Sequence, residues 1–256
     1  MATMTTNALN KVDDEWQNFI SAKYEDDDDD VSAGELAEED VDESILSADI
    51  AKGLQLEAPK ATEIYISTKS KIAYLNQAID LKTLFWGIKV IPYSTPRNGV
   101  IKKQMKFNSL THEEHDEVQE NLKNETHYDQ QVITSINNPT GRIKFKDIRK
   151  ISVGVSKKDI MSYRCKQKSA FYNCFVMIMR IKIQSAFKEF HIKVFNTGKM
   201  EIPGVQNDDI FQEVLNNILT TMQPFVKDTL SYNQKSDTVL INSNFNCGFF
   251  INREVL

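Results

Sequence analysis

The chain has only three cysteines, Cys165, Cys174 and Cys247, scattered along the sequence with no CxxC pair among them. That count excludes a disulfide framework or a cysteine metal knuckle and fits a reducing intracellular setting. No apolar run approaches the ~20 residues that a spanning helix requires, which argues against an integral membrane protein. The opening MATMTTNALNKVDDEW lacks the charged start and apolar stretch of a secretory signal. There is no GxSxG, Walker loop or GxGxxG, and no cysteine has a histidine close by in sequence. Histidine is also scarce. THEEH (Thr111 to His115) sets two histidines three apart, with His127 downstream, but lacks the HExxH spacing that puts two ligands one helical turn apart beside a glutamate base. No catalysis, metal or cofactor is expected.

What remains is a chain of 256 residues, 41% hydrophobic, with enough apolar side chains for one large or two modest domains. Its net charge of -5 hides a strong asymmetry. Residues 1–60 hold 17 acids and four bases, a net -13, whereas residues 61–256 hold 19 acids and 27 bases, a net +8. EDDDDD (Glu25 to Asp30) and EEDVDES (Glu38 to Ser44) repel themselves and bury nothing, so a disordered acidic arm is expected over 1–60. An acidic arm on a basic body suggests a polyanion-binding domain with its own built-in competitor.

From Ala61 the texture becomes that of a folded domain. IYISTKSKIAYL (Ile64 to Leu75) reads as a strand, and DLKTLFW (Asp80 to Trp86) as a short helix capped by Asp80. GVIKKQMKF (Gly99 to Phe107) reads as a strand carrying Lys102, Lys103 and Lys106. The polar stretch from Asn108 to about Asn138 reads as a surface helix and loop, within an insertion spanning about 108–165. GRIKFKDIRKISVGVSKK (Gly141 to Lys158) adds one or two short basic strands. FVMIMRIKI (Phe175 to Ile183) alternates with period two, as does FHIKVFNT (Phe190 to Thr197), and Gly198 supplies the turn into KMEIPG. Asn207 then caps a helix whose stripe of Ile210, Phe211, Val214, Leu215, Ile218, Leu219 and Met222 must lie on a sheet. Its natural partner is the apolar face of Phe175, Met177, Met179, Ile181 and Ile183. The opposite face, with Arg180, Lys182, Lys193 and Phe195, is left without a helix and reads as a binding surface.

IDLKTL (Ile79 to Leu84), VMIMRI (Val176 to Ile181) and VFNTGKMEIPG (Val194 to Gly204), in that order, resemble one repeat of the TATA-box-binding protein family of eukaryotes, archaea and giant DNA viruses. The resemblance covers about 61–106 and 171–228, and DTVLINSNFNCGFFINREVL (Asp237 to Leu256) is similar to the start of a second, incomplete repeat. It implies an α+β fold, a curved antiparallel sheet with helices on one face. It also implies a general transcription initiation factor whose open face enters the DNA minor groove, with phenylalanines unstacking base steps.

By position, Phe195 matches a wedge phenylalanine, Val176, Ile178 and Thr197 match groove-facing positions, and Arg180 matches a backbone-facing cation. Lys182, Lys193 and Lys199 complete the expected DNA-binding set. The helix from Asp208 would face other general transcription factors and the RNA polymerase machinery, in a nucleus, a viral factory or a virion. A dimer or a second chain would complete the saddle. Cys174 stands where the family has its other wedge, and Glu201 and Pro203 occupy positions that the family keeps small and uncharged. The competing expectation is a protein-interaction subunit that keeps the fold without specific DNA binding.

Overall fold

The computed structural model describes residues 60–161 and 173–250. The expected acidic arm therefore lies outside the described residues except for Lys60, as does the end of the second-repeat segment beyond Phe250. The strands are β1 (Tyr65–Leu75), β2 (Gly99–Ser109), β3 (Tyr128–Asn137), β4 (Phe145–Gly154), β5 (Cys174–Ile183), β6 (Ala186–Phe195), β7 (Lys199–Val205) and β8 (Tyr232–Asn244). The helices are α1 (Leu81–Gly87), α2 (His112–Leu122), α3 (Lys157–Met161) and α4 (Asp208–Met222), and Pro224 lies in a 3-10 turn that ends α4. The fold is α+β. All eight strands form one open sheet, in the order β3-β4-β2-β5-β6-β7-β1-β8, and every pairing is antiparallel.

The alternation expected in the central strands is present. Phe175, Met177, Met179, Ile181 and Ile183 of β5 join Phe190, Ile192 and Val194 of β6 in the core. The α4 stripe packs into the same cluster, with Leu219 at its margin. Each fully buried aliphatic or aromatic side chain there contributes roughly 1.5–3 kcal/mol. The helix starts are fixed as read from the sequence. The Asp80 carboxylate accepts from the backbone N–H groups of Lys82 and Thr83, and Asn207 Oδ1 accepts from Ile210 N–H at 2.9 Å. At the turn between β6 and β7, Gly198 has φ of +84° and packs so close to the Gln77 carbonyl that a Cβ would lie 2.3 Å from it.

Three expectations need correction. Residues 128–137 are a strand, not a loop. Its side chains are mostly exposed, so the apolar alternation that marks a half-buried strand is muted there. The basic stretch from Gly141 holds one strand, within the expected one or two, followed by α3. β8 begins at Tyr232, five residues before the expected start of the second-repeat segment, and pairs with β1 along its length. Finally, the helices are not confined to one face. α3 is tied to the other by Lys102 Nζ to Asp159 Oδ1 at 2.6 Å and by Lys157 N–H to Glu189 at 3.1 Å.

Lys103 also sits opposite to the face on which a cation-bearing strand would present it. It is opposite Met177 in the ladder and fully buried beneath α1. Its ammonium donates to the carbonyls of Phe85 and Ile88 at 2.7 and 2.9 Å, and to Glu125 Oε1 at 2.7 Å. Those carbonyls close the C-terminal end of α1, where helix geometry leaves acceptors without partners and favours positive charge.

Candidate nucleic-acid interface

Register determines which side chains share the face opposite α1 and α4. On β6 these are Phe187, Glu189, His191, Lys193 and Phe195, opposite Lys182, Arg180, Ile178, Val176 and Cys174 of β5. β2 contributes Lys102 and Gln104, opposite Ile178 and Val176. β7 and β1 add Glu201 and Ile72, and Lys199 lies opposite Tyr74. The residues expected to contact DNA on β5, β6 and β7 therefore do share one face, and exposed Thr197 lies in the turn that follows β6.

Their environments differ. Phe195 is half-buried at the end of β6, beside Cys174, and Val176 is half-buried between Gln104 and Lys193. Ile178 is 4% exposed and Cys174 3%, and burial pushes the Cys174 thiol up to about 12. Lys182 is exposed, and its backbone N–H donates to Asn98 Oδ1 at 2.8 Å.

Arg180 departs most from its expected role. It is 8% exposed, because the loop between α1 and β2 closes over it. One guanidinium nitrogen donates to the Tyr93 carbonyl at 2.6 Å and another to the Thr95 carbonyl, while the rings of Tyr93 and Phe187 lie within 5.5 Å of its centre. Desolvation, reinforced by Glu189, raises the Tyr93 phenol above its usual value. Arg180 anchors that loop instead of presenting its charge to solvent.

The face also holds carboxylates, among them Glu201, which the resemblance had placed at a groove-facing position. Glu201 is 6% exposed and pairs with Lys193 at 3.3 Å, while Asp237 accepts from the Tyr74 hydroxyl at 3.1 Å. The central strip is thus close to charge balance. Asp159, which holds α3 through Lys102, is opposed by its burial. Hydrogen bonds from Lys102 and Ser156 nevertheless keep its pKa below the usual carboxylate value.

Two features escaped the sequence reading. Lys150 of β4 stands directly opposite Lys106 of β2 on this face, a juxtaposition that needs the register of strands more than 40 residues apart. The histidines of THEEH serve the α2 region, with His112 packed against the Phe145 ring at 4.0 Å and Thr111 capping the helix through Glu114 N–H. Among the described residues no group of three or more His, Cys, Asp or Glu side chains is placed to hold a metal ion. No helix among them is long and apolar enough to cross a membrane. No family model, curated protein or solved structure matches the chain.

Proposed function

We propose that this chain is a DNA-binding transcription initiation factor of the TATA-box-binding-protein kind, which meets duplex DNA with the face carrying Phe195. The order of elements carries this reading. β1, the short α1, then β2, β5, β6, β7 and the long α4 follow the sequence of elements in one family repeat. The inserted hairpin of β3 and β4 joins the sheet outside β2 and leaves the β2-β5-β6-β7-β1 order intact. β8, pairing with β1, extends the sheet on the side where a second repeat would continue it.

In this reading Phe195 is the wedge, Thr197 and Val176 line the groove contact, and Lys182, Lys193 and Lys199 meet the phosphates. Arg180 positions the loop that borders the site. α4 faces the rest of the initiation machinery, in a nucleus, a viral factory or a virion.

A specific observation favours a second reading, a protein-interaction subunit with the same fold. Glu201 sits nearly buried in the centre of the face, where it repels phosphate and neutralises Lys193. Fluorescence-anisotropy titration against AT-rich and random duplexes at two salt concentrations separates the two. The DNA-binding reading requires saturable binding that weakens steeply with salt, and no binding at low salt would overturn it in favour of the interaction subunit.

A further inference from the structure

We propose that the β1–β8 end of the sheet is a self-association surface, on which a second copy of this chain docks about a two-fold axis passing near Ser236. The inference goes beyond the DNA-binding reading and stands whether or not that reading holds. β7 pairs with β1 only from Lys69 to Tyr74, so the stretch from Tyr65 to Thr68 has β8 as its one neighbouring strand among the described residues. Backbone hydrogen bonding continues this ribbon, with Thr62 N–H donating to the Asn246 carbonyl at 2.8 Å. A two-stranded ribbon standing alone is marginally stable in water. Among the described residues β8 is also the last strand on this side of the sheet, so its outer backbone groups offer a template for pairing.

The ribbon carries a large apolar surface. Ile64, Tyr65, Ile66, Ile241, Phe245 and Phe249 lie toward its end and are each 51–72% exposed. Half-exposed side chains of this size show roughly 100 Å² each, or roughly 600 Å² together. That is the upper limit of the largest apolar patch on a soluble monomer. With the polar rim of β8 it approaches the roughly 800 Å² per partner that a stable interface buries.

Charge complementarity selects the occupant. Lys235 and Asp237 are the only charged residues of β8. Both sit around Tyr74 on one face, with the Lys235 ammonium 5.5 Å from the ring centre and the Asp237 carboxylate accepting from the hydroxyl. In an antiparallel pairing of two β8 strands centred on Ser236, Lys235 of each copy stands opposite Asp237 of the other, which gives two opposite-charge pairs. Centring the pairing on Lys235 or on Asp237 instead sets like charges against each other. The ladder with β1 shifts on both sides of this stretch, so the shared pairing is short and the apolar ends supply most of the buried area. The same arrangement carries Ile241 and Phe245 of each copy toward the start of β8 of the other, where Phe225, Val226 and Tyr232 are half-buried at the margin of the core.

The test is sedimentation equilibrium of the full chain over a concentration series, for wild type, Ile241→Asp/Phe245→Asp, Lys235→Asp and Lys235→Asp/Asp237→Lys. Wild type should reach twice the mass of one chain and no more. Ile241 and Phe245 are exposed in the single chain, so their replacement keeps the fold, and the dimer should weaken by about tenfold or more. Lys235→Asp opposes like charges twice in each dimer and should weaken it about tenfold at low salt. The double reversal restores both pairs in the proposed register and should recover most of that loss. A wild type that stays monomeric at every concentration would overturn the proposal, as would an Ile241→Asp/Phe245→Asp dimer as tight as wild type. A double reversal no tighter than Lys235→Asp would overturn the two-fold register. Mass that grows past the dimer would overturn it in favour of head-to-tail association.

Discussion

The ammonium of Lys103 lies 2.7 Å from Glu125 Oε1 under the helix layer, and neither side chain has substantial contact with water. The pair joins β2 to the segment after α2, and the same cation closes the end of α1. Burial lowers the Lys103 pKa below its usual 10.5, outweighing the pull of Glu125. Lys103→Met leaves a buried carboxylate without its partner and should cost about 3–5 kcal/mol. Lys103→Met/Glu125→Met should recover most of that loss, as read by urea unfolding. A lowered folded-state value means that the unfolded chain holds more protons between that value and 10.5. Wild-type stability, relative to the double variant, should therefore rise with pH across that window.

Glu201→Gln removes the carboxylate from the centre of the proposed DNA face. Binding at low salt should tighten severalfold, with the gain shrinking at about 0.15 M salt as screening sets in. In the same titrations Phe195→Ala should reduce DNA bending, measured by end-to-end energy transfer, more than Lys193→Ala does. Equal effects would mean that Phe195 is packing and not a wedge.

The Asp159 clasp should open in acid. Its pKa is held below the ordinary 3.8, so its contribution is complete above that value and is lost as pH falls through the lower folded-state value. Hydrogen exchange of the amides of Lys157 to Met161 should accelerate over that range in the wild type. In Asp159→Asn it should already be fast at neutral pH.

Cys174 should stay unmodified by iodoacetamide at pH 8 in the folded protein, because a thiol with a pKa of about 12 supplies almost no thiolate there. Peptide mapping after denaturation should then show full labelling at that position.

The central fold was legible because local chemistry specifies it. Period-two apolar alternation in β5 and β6, the Asp80 and Asn207 caps, and the broad stripe of α4 all act within a few residues, and each has its place in the structure. β3 was not legible, since an edge strand with both faces wet carries little apolar alternation. The faces of Arg180 and Lys193 could be read from alternation. Their partners could not, because the Tyr93–Thr95 loop and Glu201 reach them through tertiary contacts. The opposition of Lys106 and Lys150 depends likewise on which strands pair, which periodicity does not encode.

The hairpin of β3 and β4 is joined to the sheet only along β2, at its margin. Two added strands broaden the platform by about 10 Å, and Ile151 and Val153 of β4 extend the hydrophobic interior beneath it. The platform therefore widens only together with the interior that supports it, because each strand added on this side must bring apolar residues of its own to cover.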